Sequence, residues 1–141
     1  MRYSRAPPMA DKMIPVELTN DLEFFKEAEC NFQLTEEGSR IYIIFKDYPL
    51  PPGVYNVEKT DVLVFTTQFY PNAGFDMFWV DDKLTLKNGC VPKSAEQLEG
   101  YVGRSWRRFS YHPYSSKPWN PSEDNVASFM AYVKQRLMKG D

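Results

Sequence analysis

The apolar positions change period along the chain, and the changes mark out its elements. Arg40-Ile-Tyr-Ile-Ile-Phe45 is a run of β-branched and aromatic residues bounded by Glu36-Glu37-Gly38-Ser39 and by Asp47 to Gly53, which predicts a well-buried strand. Asp61 to Thr67 predicts a second strand and Phe75 to Val80 a third, with Tyr70-Pro-Asn-Ala-Gly74 as the turn between them. Links this short favour an antiparallel meander, because a parallel crossover needs about a dozen residues or more. Tyr48-Pro-Leu-Pro-Pro-Gly53 must be an extended, exposed connection, since its prolines lack the backbone donor a sheet requires.

A helical period governs the two ends. Asn20 and Glu23 form a capping-box pattern ahead of a short stripe at Leu22, Phe25 and Ala28. Near the other end Asn120 can cap, Pro121 suits a first helical position and Glu123 completes the pattern. Val126, Phe129, Met130, Val133 and Leu137 then recur on one helical face, with Lys134, Arg136 and Lys139 near its end and Gly140 as a stop. Residues 81–121, punctuated by Gly89, Pro92, Gly100, Gly103, Pro113 and Pro118, show no long periodic segment. A long irregular region inside a small domain is where function is expected. Pro7, Pro8 and Pro15 predict a flexible tail over 1–15, followed by one domain over 16–141. The class is α+β, an antiparallel meander with a long loop region and a C-terminal helix packed on one face.

Composition narrows the chemistry. A chain of 141 residues supports one core, and 43% hydrophobic with 26% charged residues describes a globular protein rather than a disordered one. Its 17 basic and 19 acidic side chains, net −2, remove any bulk electrostatic case for nucleic acid or an anionic membrane. Cys30, Cys90 and a single histidine lack the paired spacing of a zinc site, so no metal and no cofactor are expected. Without a run long enough for a membrane span or a signal peptide, the chain reads as cytoplasmic, and two cysteines in a chain that needs no staples to fold point to a reducing compartment, with a single disulfide left open. Cys30, after an amphipathic segment, reads as packed or incidental.

Several pieces in order resemble a known family: Tyr48-Pro-Leu-Pro-Pro-Gly53, Thr60-Asp-Val-Leu-Val64, Tyr70-Pro71 followed by Asp76-Met-Phe-Trp79, Gly103-x-x-Trp106-x-Arg-Phe-Ser-x-His112, and Trp119 leading into the final helix. Together they resemble the E2-like proteins of the ubiquitin-conjugating superfamily, in particular prokaryotic E2 family E. The resemblance runs from about Phe32 to Leu137. It implies an E2-like fold and a role in a bacterial ubiquitin-like conjugation pathway, with a ubiquitin-like modifier, an E1-like adenylating enzyme and a JAB-type protease as partners. The alternative it leaves open is a non-catalytic E2-fold module that binds the modifier or its target.

The departures from the E2 pattern set the candidate site. A classical E2 has its catalytic cysteine shortly before a tryptophan, but here Tyr111-His-Pro-Tyr-Ser-Ser-Lys117 fills that slot ahead of Trp119. Counted upstream from Trp119, His112 falls near the place of the thiol. Counted forward from Tyr70-Pro71, Asn88-Gly89-Cys90 resembles the run that carries it. If the chain is catalytic, the resemblance makes Cys90 the thioester carrier, with His112 and Asn88 assisting in proton transfer and oxyanion stabilisation. A hydrolase built on Ser110, His112 and Asp76 has less support, because no nucleophile-elbow glycine pattern surrounds Ser110. Arg104, Arg107 and Arg108 form a local basic cluster suited to an acidic partner surface or a carboxylate. Trp106 and Trp119 read as packing residues that fix the loop region.

Overall fold

A computed structural model describes residues 14–141; the expected tail over 1–15 lies almost wholly outside the described residues. Helix α1 (Val16–Glu27) is followed by strands β1 (Phe32–Glu37), β2 (Arg40–Pro49), β3 (Lys59–Thr67), β4 (Phe78–Asp81), β5 (Leu98–Tyr101) and β6 (Arg104–Phe109), and by helix α2 (Val126–Lys139). All strand pairs are antiparallel, in the order β1-β2-β3-β4-β6-β5.

The expected meander is present as β2, β3 and β4, although the third strand begins at Phe78, leaving Phe75 to Met77 in the connection. Two hairpins were not expected. β1 pairs with β2 through the two-residue turn Gly38-Ser39, where Gly38 supplies φ 61°. β5 pairs with β6 through Val102-Gly103, both at positive φ (45° and 78°), as a type I′ turn requires. The region over 81–121 is therefore not irregular throughout; its middle is a strand pair.

Alternation along the strands separates two faces. Ile41, Ile43, Phe45, Val62, Val64, Phe78, Val80 and Phe109 cluster with the buried helix residues Leu18, Leu22, Phe25, Val126, Phe129, Met130, Val133 and Leu137. The apolar stripe expected for the last helix is the one buried. Tyr42, Ile44, Leu63, Trp79 and Trp106 form a second cluster on the opposite face. Tyr101 of β5 lies 5.7 Å, ring to ring, from Tyr42 of β2. In a flat sheet those strands, four spacings apart, would be roughly 19 Å from each other. The sheet is thus sharply curled, and its own far edge covers the second cluster.

The helix starts differ from expectation. Pro15 is the N-cap of α1, so Asn20 lies inside the helix rather than at its cap. At α2 the cap is Asn125, whose side chain accepts the Ser128 N–H at 2.8 Å while the Ser128 hydroxyl accepts the Asn125 N–H at 2.9 Å. Asn120 instead heads a separate turn, accepting the Ser122 N–H at 2.9 Å and giving its own N–H to Asp124 at 2.8 Å. Two caps in a row explain the difference: Asn120 is satisfied locally by Ser122 and Asp124 rather than by the Glu123 side chain, and the helix begins at the next cap, Asn125. Gly140 ends α2 in the left-handed conformation (φ 72°), as expected of the stop.

Candidate functional site

The β3–β4 connection and the segment after β6 are bound together through aromatic side chains. Phe75 stacks on Phe129 of α2 at 5.2 Å and meets Trp119 edge-on at 5.9 Å. The Trp119 indole N–H donates to the Pro71 carbonyl at 2.7 Å, and its ring lies directly over Gly74, where any Cβ would overlap it. Tyr70 fastens the same connection to both helices. Its hydroxyl donates to Asp21 of α1 at 2.6 Å and accepts the Val126 N–H of α2 at 3.0 Å. Burial and the Asp21 bond push the Tyr70 phenol well above its ordinary range.

The segment carrying His112 lies on this unit. Tyr111 packs edge-on against Phe78 at 6.4 Å, and Tyr114 against Trp119 at 5.2 Å and Tyr132 at 5.5 Å. Burial pushes the Tyr114 phenol up to about 12. With the tyrosines turned inward, His112 faces outward, and its Nδ1 lies 2.9 Å from Asp76 Oδ1. Both side chains are about half exposed (49% and 58%), so a molecule from solution can reach the pair. Ser110 is bonded elsewhere: its hydroxyl accepts from Arg108 Nε at 3.1 Å.

Cys90 sits on a different turn. Gly89 N–H donates to the Leu86 carbonyl at 2.9 Å and Leu86 N–H to the Cys90 carbonyl at 2.8 Å, while Asn88 Oδ1 accepts the Cys90 N–H at 2.9 Å. Asn88 thereby shapes the turn that leaves Cys90 exposed. This turn is anchored to the β2–β3 connection, through Lys87 N–H to the Val54 carbonyl, and a bridge between Tyr55 and Leu86. Tyr55 in turn donates to the Leu137 carbonyl at 2.7 Å. In the His112 segment Tyr114 packs against Phe129 at 6.2 Å, whereas Tyr111 lines a hollow with Lys93, Arg136 and Lys139 toward the end of α2 that Tyr55 reaches. No hydrogen bond among the described residues joins Cys90 or Asn88 to His112. Cys30 is half-buried, and burial raises its thiol.

The three arginines divide between the two faces. Arg107 is buried on the helix side, donating to the Ala95 carbonyl at 2.7 Å and the Asp82 carbonyl at 3.0 Å. Arg104 and Arg108 lie on the other face. Arg108 pairs with Glu99 at 2.8 Å, and Arg104 bonds Asp61 at 3.0 Å and Asp81 while lying over the Trp106 ring at 4.0 Å. Trp106 is fully buried in β6 and donates to the Tyr101 carbonyl at 3.0 Å, so it holds the β5–β6 hairpin, whereas Trp119 holds the loop after it. Arg104 and Arg108 are paired with carboxylates and Arg107 with two backbone carbonyls, its Nε left without a partner, a division that the spacing Arg104, Arg107, Arg108 alone did not reveal.

Of the Ser110, His112 and Asp76 set, the structure joins only the last two: the His112–Asp76 contact spans 36 positions, beyond the reach of any local pattern. Among the described residues no group of three or more His, Cys, Asp or Glu could hold a metal ion, and no helix is long and apolar enough to cross a membrane.

Comparison with known proteins adds one match. The family model described as Prokaryotic E2 family E matches residues 17–140. No curated protein and no solved structure matches the chain.

Proposed function

The chain belongs to prokaryotic E2 family E, and from that membership we propose that it is the E2-like component of a bacterial ubiquitin-like conjugation pathway, carrying or positioning a modifier received from an E1-like enzyme. Residues 16–141 are read as one E2-like domain, with the loop after β6 as the counterpart of the active-site loop. The observation that carries the reading is the family match over nearly the whole chain. The exposed Cys90 thiol supports a covalent role. Its Sγ would attack the modifier's C-terminal carbonyl on the E1 thioester, the bond to the E1 sulfur would break, and that sulfur would leave with the proton from Cys90. The Asn88 oxygen is occupied by the Cys90 N–H, which leaves its amide N–H groups to face a developing oxyanion. Arg104 and Arg108 offer their exposed edges to an acidic partner surface; a JAB-type protease completes the partners, and the pathway is cytoplasmic.

Incubation with E1, modifier and ATP should give a reductant-sensitive adduct that Cys90→Ala abolishes. An adduct that survives that substitution removes Cys90 from the mechanism. The second reading, an E2-fold module that binds modifier or target without a covalent step, is favoured by the segment ahead of Trp119, which carries His112 and no thiol. It expects modifier binding with no adduct on either cysteine.

A further inference from the structure

The Nδ1 of His112 lies 2.9 and 3.0 Å from the two carboxylate oxygens of Asp76. An ionised carboxylate only accepts hydrogen bonds, so Nδ1 carries the hydrogen and the Nε2 of the neutral ring keeps its lone pair. The contact is not a chance meeting of two surface loops. The chain on both sides of His112 is pinned by Tyr111 and Tyr114, and Trp119 bonds the connection that presents Asp76. Asp76 also lines a cleft of about 240 Å³ with Phe65, Thr66, Thr67, Met77 and Trp79, so the carboxylate that holds the ring stands beside a concavity of mixed polar and apolar lining. Ser110, held by Arg108, is not bonded to the ring, and the nucleophile this base would serve must come from outside the chain.

We propose that His112 is a general base for acyl transfer and that Asp76 is its positioning residue. An amine attacks the carbonyl carbon of an acyl thioester presented on a partner's sulfur, Cys90 lying on a separate turn; the C–N bond forms as the amine proton passes to Nε2, then the C–S bond breaks and the sulfur leaves, taking that proton back from the imidazolium. Asp76 fixes the ring orientation and balances its transient positive charge. The identity of the thioester as a ubiquitin-like modifier rests on the E2-like reading; the orientation of the ring does not.

His112 is the single histidine of the chain, so its ring can be followed without assignment ambiguity. With the ring neutral, nitrogen NMR should find the Nδ1–H tautomer in the wild type, and Asp76→Ala should move it toward the Nε2–H form. Carbethoxylation of His112 by diethylpyrocarbonate should slow several-fold in Asp76→Ala, with the thermal midpoint unchanged and partial recovery in Asp76→Glu. Single-turnover aminolysis of the modifier thioester should fall roughly 100-fold in His112→Gln. An Nε2–H tautomer in the wild type, or equal carbethoxylation in Asp76→Ala, overturns the pair. Aminolysis undiminished in His112→Gln overturns the base. Failure to handle a modifier thioester at all would overturn the E2-like reading, while the tautomer and carbethoxylation results still decide the pair.

Discussion

The indole of Trp119 occupies the space that a side chain on Gly74 would need. The backbone of Gly74 is not in the left-handed region, so the requirement for glycine is one of space. Gly74→Ala must displace the ring or the loop, and overpacking of this kind costs about 1–3 kcal/mol. Chemical denaturation should show that loss. In a Trp119→Ala background the cavity absorbs the added methyl, so the penalty should shrink. A penalty that stays the same in both backgrounds would mean the two residues do not share that space.

Two tyrosines in the same aromatic unit should respond oppositely to loss of the hydroxyl. Tyr70 gives its proton to Asp21 and receives the first N–H of α2, so Tyr70→Phe leaves a buried helix-terminal donor unpaired and should cost about 1–3 kcal/mol. The Tyr114 hydroxyl is buried with no hydrogen-bond partner in reach of good geometry. Tyr114→Phe removes an unsatisfied polar atom and should leave stability unchanged or slightly raised. Equal losses in the two variants would contradict this difference in bonding.

The contrast between these positions indicates what the sequence could disclose. The Ile41 to Phe45 strand and the stripe from Val126 to Leu137 were legible because a single period, repeated locally, decides which side is buried. Strand β6 was not, because Arg104-Ser-Trp-Arg-Arg-Phe109 alternates between two buried environments: Arg107 on one side spends its charge on backbone carbonyls, and Trp106 on the other is covered by the curl of the sheet. Strand β1 ends in Glu36-Glu37, which resembles a turn until Gly38 is seen to close a tight hairpin. Cys90 and His112 could be singled out from their neighbours in sequence, and Asp76 entered only as a member of a weakly supported hydrolase set, since its contact with His112 across 36 positions is fixed by tertiary packing alone.

Acid should weaken the protein through Asp61. Burial by itself would raise this carboxyl, but Lys46 at 2.8 Å, the Asp47 N–H at 3.1 Å and Arg104 at 3.0 Å outweigh burial and hold it below the usual range. A carboxyl group whose folded value is depressed contributes stability that is fully present above its unfolded value, about 3.9, and lost as the pH falls through the folded value. Asp61→Asn should therefore be less stable at pH 7, by about 1.5–3 kcal/mol for charge-assisted bonds. Stability curves of the two proteins should converge as the pH falls below 4. Curves that stay parallel would show that Asp61 does not carry this dependence.

The two thiols should be distinguishable by rate. Cys90 is exposed on its Asn88-Gly89 turn, whereas Cys30 is half-buried beside Phe25 and Tyr48, with its thiol raised by that burial. Alkylation proceeds through the thiolate, so at neutral pH Cys90 should react several-fold faster, and the ratio should narrow as the pH rises and the Cys30 thiol ionises. Mass mapping after brief iodoacetamide treatment reads both sites in one experiment. Cys90→Ala should remove the fast phase and Cys30→Ala should leave it. If Cys90 carries the modifier, loading with E1, modifier and ATP should protect that fast phase alone. A Cys30 that labels first would show that the half-buried thiol is the accessible one and would shift the search for a thioester to the groove beside α1.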